Sequence, residues 1–304
     1  MSAALCAKVR SRYGRQLSAA ELSALSALCG SDEAQAFLQA HSPQDAHLAA
    51  ADSAHRRRLC DEALADEFRS LAYFVSPQDK PFWQFFPHMQ TLRRLMKSYP
   101  TFRTGGDFRL ATVGTIFETA VSRAVQSDRL PDFAAAEALL RSRYERYMLR
   151  LIAAQYRGGD GRRLKRLFGE AADRLNLMNL LRLKTYFPAE AETLARYLPT
   201  HHRLNQRLFA RLSAAKTVDE TRTLLGTQPR FAALAHLPLP AFAQEQTRTL
   251  RQLYRQVIHS GETSISVAFA YLCDREYALA DLCAALDAAA ERTSKKEATA
   301  WSQP

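Results

Sequence analysis

Residues 173–187, DRLNLMNLLRLKTYF, place Asp173, Asn176, Arg182 and Lys184 among leucines and a methionine at helical spacing. A helix with a leucine face buries that face against neighbours, and polar groups on or beside it must find partners where helices meet. Nothing in the stretch has the spacing of a catalytic set. The rest of the chain is of the same kind. Glycine is scarce at 11 of 304 residues, alanine and leucine are abundant, and β-branched runs are almost absent. Such a composition favours helix over sheet. The expected fold is all-α, in a chain long enough for two or three subdomains.

Local signals punctuate the chain. A first helix is expected over residues 3–13. Ser18 and Glu21 then form a capping box, with Leu17 and Leu22 as a hydrophobic staple and Gly30 as a stop. Another helix is expected over 56–75, and an aromatic-rich one from Pro81 to just before Pro100. Its Phe82, Trp83, Phe85 and Phe86 read as core contacts rather than a base-stacking surface. A break at Thr104-Gly105-Gly106-Asp107 marks a first boundary, with one helix running on to about residue 126. Leu130-Pro131-Asp132 turns the chain into a long helix over 134–156. Gly158, Gly159 and Gly161 lack the order of a phosphate loop and no strand precedes them, so they read as a helix–helix turn. Thr217 and Glu220 suggest another capping box, Gly226 a stop, and Pro229, Pro238 and Pro240 a second boundary. A helix over 242–259 and one or two closely joined helices beyond it complete the chain, with fraying from about Arg292.

Charge and chemistry narrow the function classes. Residues 151–230 hold 15 basic against 7 acidic residues, while residues 231–304 hold 7 against 8, so most of the net +11 lies in the middle third. Arg162, Arg163, Lys165 and Arg166 form its densest cluster. They suit an acidic protein partner, anionic headgroups or phosphates, or a solvated face. Nucleic acid is the least supported of these, since no reading motif is present. The histidines form no HExxH, and the adjacent pair His201-His202 reads as a solvated turn. Five scattered cysteines make no CxxC pair, and Cys273 and Cys283 read as core residues. No catalytic residue, cofactor site or metal site is nominated. No window reaches 18 apolar residues and no leader pattern opens the chain, so a cytoplasmic setting with reduced thiols is expected.

Three ordered motifs carry a resemblance. The run from Asp173 through Asn176-Leu177 and Leu180-Leu181-Arg182 to Lys184 resembles the DxxN[IL]xx[LI][LI]RxK helix of the C subunit of V-type and A-type ATPases, the AC39 or subunit d family. Tyr271-Leu272, Arg275-Glu276, Asp281 and Leu282 resemble its carboxy-terminal YLxx[KR]ExE[IV]xN[LI]R signature. Ala7, Val9, Arg10 and Leu17 resemble its AxVRxxxxxLL opening. Ala278, Asp281 and Cys283 depart from the second signature, where the family has an acidic residue, asparagine and arginine.

The resemblance implies a funnel of three related helical subdomains about a pseudo-threefold axis, here drawn at 1–104, 105–228 and 229–304. A faint repeat fits that plan, with Leu92, Leu95 and Lys97 set against Leu177, Leu180 and Arg182. The resemblance further implies a non-enzymatic central-stalk coupler, peripheral on the cytoplasmic face of the membrane, with shaft subunits and the proteolipid ring as partners. An unrelated helical adaptor or a basic nucleic-acid binder would share the composition but not the three motifs.

Overall fold

A computed structural model describes residues 3–102, 104–127, 132–186, 194, 197, 198, 204 and 206–301, with side chains to residue 293. The described residues form helices and no strands. In chain order these are α1 (Ala3–Tyr13), α2 (Ala19–Ala27), α3 (Ser31–His41), α4 (Ser53–Ala72), α5 (Lys80–Trp83), α6 (Phe85–Ser98), α7 (Gly105–Ala111), α8 (Glu118–Gln126), α9 (Phe133–Gln155), α10 (Gly158–Tyr186), α11 (Gln206–Ala214), α12 (Val218–Gly226), α13 (Leu239–His259) and α14 (Ile265–Trp301). The all-α expectation holds. None of these helices is long and apolar enough to cross a membrane. The chain divides into two compact units, one of Met1–Gln78 with Tyr254–Pro304 and the other of Asp79–Leu253. The division falls inside α13.

In the first unit α14 is the central element, packed by α1, α2, α3 and α4. Every residue from 264 to 272 is buried, which means that more than two turns present no face to solvent. The sequence there, SISVAFAYL, is apolar apart from two serines and the tyrosine hydroxyl. Ser264 caps the helix by accepting from the Ser266 amide at 3.2 Å. Leu5, Val9, Leu25, Leu38, Leu64 and Leu71 close around it.

The described residues of the second unit include two apolar clusters. One gathers Leu92, Leu95, Phe108, Phe117, Val121 and Leu140. The other surrounds the carboxy-terminal half of α10 with Leu177, Leu180, Leu212, Leu225, Phe231 and Phe242. At 29 residues α10 is about 43 Å long. Nearer its start, Phe168 meets Phe82 edge-on at 6.2 Å. Phe82, Trp83, Phe85 and Phe86 are all buried, as core contacts should be.

Several local expectations are met. Ser18 and Glu21 form the reciprocal capping box, α9 ends one residue from the expected place, and Gly226 is the last residue of α12. Others are corrected. The expected break is present, since α6 ends at Ser98 and Thr104 with Asp107 caps α7, but Gly105 and Gly106 already belong to the helix that follows it. The helix expected to reach residue 126 is two helices, because Gly114 turns left-handed at φ 74° and the Thr112 and Thr115 hydroxyls bond back to Arg109 and Thr112 carbonyls. The aromatic helix is likewise two. Pro87 has no amide to offer the Trp83 carbonyl, and the chain breaks at Gln84. At Thr217 the cap is one-sided, since the Glu220 carboxylate accepts from the Lys216 amide instead of the Thr217 one. The last helix continues past Arg292 to Trp301. The expected features at Leu130-Pro131 and His201-His202 fall outside the described residues.

The glycine-rich segment also differs from expectation. The turn is only Tyr156-Arg157, and Gly158 to Gly161 already form the first turn of α10. Gly158 takes the left-handed conformation, φ 65°. At Gly161 a Cβ would stand 2.4 Å from the Tyr156 carbonyl oxygen, which is backbone and has little room to move. The tight reversal from α9 to α10 therefore depends on a bare Cα at this position. Gly161→Ala is expected to cost about 1–3 kcal/mol in urea unfolding. Gly159→Ala, whose Cβ would meet only the end of Arg163 at 3.6 Å, should change stability by less than about 0.5 kcal/mol.

Candidate functional site

The residues singled out in the three motifs are mostly internal anchors, and each set is built by its own unit. In the second unit, Asp173 sits fully buried on α10. Its carboxylate accepts from the Leu204 amide at 3.2 Å and from Arg230 at 3.0 Å. Arg230 also pairs with Glu170, one turn earlier on α10. Asn176, three residues after Asp173, is fully buried on the same helix. Lys184 extends from the far end of α10 to donate to the Ser213 carbonyl at 3.0 Å and to that of Ala215. These are the open carbonyls at the end of α11, where a cation is favoured by both hydrogen bonding and the helix dipole. Burial lowers the Lys184 pKa, with the Glu220 carboxylate acting the other way. Arg182 differs from the other three, because it is exposed on the solvent side of α10.

In the first unit the opening and closing motifs meet. Tyr271 on α14 donates to Glu67 on α4 at 3.0 Å, and the same carboxylate receives Arg12 from α1. Arg12 also reaches the Ser70 hydroxyl. Burial, then Glu67, pushes the Tyr271 pKa upward, so the hydroxyl remains a donor. One turn further along α14, Arg275 pairs with Asp45 at 2.5 Å, both side chains being at most 5% exposed. Asp45 lies in the 3₁₀ turn Pro43–Leu48 and also accepts from Ser42 at 2.8 Å. Burial works against the Arg275 charge, but the Asp45 carboxylate outweighs it and holds the pKa above the ordinary arginine value. Arg10 covers the end of α13, donating to the Ile258 carbonyl at 3.0 Å and to that of Glu262 at 2.7 Å. Glu276 and Asp281 are half-buried on α14.

The basic cluster is not gathered by either set. Arg162, Lys165 and Arg166 are exposed in the first turns of α10 and Arg163 is half-buried, 3.9 Å from Asp160. The four begin the helix instead of preceding it. Asp160 is the only acidic residue in that first turn. The four cations follow in the second and third turns, beyond the first-turn amides. The cluster is thus a positive surface with little internal neutralisation.

The local signals in the sequence do not reveal Asp45, Glu67 and Arg230, each of which completes a motif residue, or Glu170, which supports Arg230. Asp45 and Arg275, Glu67 and Tyr271, Arg230 and Asp173, and Glu170 and Arg230 lie 57 to 230 positions apart, and no local spacing announces such pairs. The only available signal was the need itself, since a buried charge on an apolar helix requires an opposite charge somewhere.

The family model described as ATP synthase (C/AC39) subunit matches residues 108–299, more than half of the chain. That span includes the central and closing motifs. No curated protein matches the chain.

Arg275→Met is expected to lower unfolding stability by about 3–5 kcal/mol, because it strands the Asp45 carboxylate. Adding Asp45→Asn should restore part of the loss, and a denaturant double-mutant cycle reads the coupling. Lys184→Met should cost about 1.5–3 kcal/mol through the open α11 carbonyls. By contrast, exposed Arg182→Met should stay within about 0.5 kcal/mol.

Proposed function

The chain belongs to the ATP synthase (C/AC39) subunit family, and from that premise we propose that it is the non-catalytic central-stalk coupler of a V/A-type rotary ATPase. In this reading it sits on the cytoplasmic face of the membrane proteolipid ring, receives the lower end of the shaft, and passes torque between nucleotide-driven rotation and ion transport. The observation that carries the reading is the placement of the family motifs. Asp173, Lys184, Tyr271 and Arg275 join helices to helices or to turns. A coupler must resist shear between its helices under load, and close packing reinforced by buried ion pairs supplies that stiffness.

The threefold plan belongs to the same proposal. It divides the chain into subdomains near 1–104, 105–228 and 229–304, although the apolar clusters of the second unit each draw residues from both sides of one of these boundaries. The repeat is also legible in burial. Leu92, Leu95, Leu177 and Leu180 are buried while Lys97 and Arg182, at matching positions, are exposed.

Arg162, Arg163, Lys165, Arg166 and Arg182 are the side chains this reading assigns to partners. All but the half-buried Arg163 are exposed, in contrast to the anchors Lys184 and Arg275, and a positive surface of this kind suits acidic faces of shaft subunits. The test is affinity purification of the tagged chain from gently detergent-solubilised native membranes, with mass spectrometry of what accompanies it. Shaft subunits, the ring and the ATPase head should co-purify. Replacing Arg162, Lys165 and Arg166 by glutamate should reduce shaft recovery at least several-fold with the helical circular dichroism unchanged. Reproducible recovery of an unrelated protein or of nucleic acid, with no rotary subunit, would replace this reading by an adaptor or a nucleic-acid binder.

A further inference from the structure

α4 and α14 run antiparallel in the first unit, and their paired side chains form a ladder. Arg56 pairs with Asp287, Cys60 faces Cys283, and Glu67 receives Tyr271. As the α4 number rises the α14 number falls, which fixes the register. On the middle rung the two sulfur atoms stand 2.7 Å apart, both cysteines being free thiols. Side chains on facing rungs of two packed helices point at one another, so formation of a bond of about 2.05 Å requires only a small further approach. The pair is half-buried and borders a surface pocket with Arg57, Asp61, Glu276 and Asp287. Small molecules can therefore reach it.

We propose that Cys60 and Cys283 are a reversible dithiol–disulfide site, oxidised by low-molecular-weight disulfides, that staples α4 to α14. The two thiols are not equivalent. The hydrogen bond from Cys60 favours the Cys283 thiolate, and Arg56 and Arg57 add to it against the effect of burial. The same hydrogen bond, followed by burial, pushes Cys60 upward. Cys283 is accordingly the attacking thiolate. It bonds to one sulfur of the small disulfide and expels the other half as thiolate. Cys60 then loses its proton and attacks the Cys283 sulfur, expelling the second half. Two small thiols leave, the protein pair loses two electrons and two protons, and the small disulfide gains them. The product closes a loop of more than two hundred residues around the ladder, which raises the cost of opening the first unit.

This site stands apart from the rotary reading and is tested without any partner. The purified full-length chain is equilibrated with graded ratios of glutathione and glutathione disulfide, quenched with acid, alkylated and digested. A linked Cys60–Cys283 peptide should accumulate while Cys6, Cys29 and Cys273 stay alkylated. A glutathione adduct persisting on Cys283 with no link, or linkage to another cysteine, overturns the proposal. Cys60→Ser should trap glutathione on Cys283, and Cys283→Ser should slow adduct formation on Cys60 at least tenfold. Equal rates overturn the assigned order. If a variant fails to fold, limited alkylation of the unmodified chain decides the order instead: Cys283 should be labelled before Cys60, and the reverse overturns it. Oxidised wild type should melt about 5 °C above reduced, and either serine variant should abolish the difference.

Discussion

A helix with no solvent face can carry a charge only where another element supplies the opposite one, and the opening turns of α14 have no solvent face. Arg275 follows closely after that fully buried stretch and is answered by Asp45 from the 3₁₀ turn. Tyr271 is answered by Glu67, and Glu67 by Arg12. Asp274, also fully buried, lies 3.8 Å from Arg255 at the end of α13. Burying one helix thus dictates where α1, α4, the 3₁₀ turn and the end of α13 must be. A hydrophobic core alone tolerates sliding and repacking, whereas opposed buried charges hold one register.

α10 works differently along its length. Its carboxy-terminal half is a core helix that holds Asp173 and Asn176 inside and uses Lys184 to close the end of α11. Its second and third turns display Arg162, Lys165 and Arg166 to solvent. A cluster of like charges held at the surface suits an oppositely charged partner. The exposed Arg182, within a motif whose other polar members are buried or anchored, points the same way. In the proposed rotary role, one helix would then both stiffen the second unit and present its contact surface.

The legible parts of this chain were those decided within a few residues. Ser18 with Glu21, Asp132 ahead of α9, and Gly226 at the end of α12 act through amides and carbonyls at most four positions away. A reading of neighbours therefore finds them. Where the reading failed, a second local effect competed with the first. Periodicity carried a helix through residues 112–117, but threonine hydroxyls and the left-handed Gly114 ended it. Pro81 lies in the first turn of α5 as its fixed φ allows, while Pro87, with no amide to donate, breaks the run three residues earlier at Gln84. Gly158 to Gly161 suggested a turn by composition, yet their conformational freedom serves the first turn of a helix.

By itself the sequence determined the helical class, the Ser18 capping box, the aromatic core residues and the three ordered motifs that resemble the family's, because propensity, periodicity and spacing are properties of contiguous residues. Tertiary structure alone decided that Arg12 shares Glu67 with Tyr271, that Asp45 receives Arg275, that Arg230 reaches Asp173, and that Cys60 faces Cys283. These partners are far apart in the chain, and many pairings of 42 cations with 31 carboxylates are chemically equivalent until packing chooses among them. Burial makes the choice, since only inside a closed core is a mispaired charge too costly to keep.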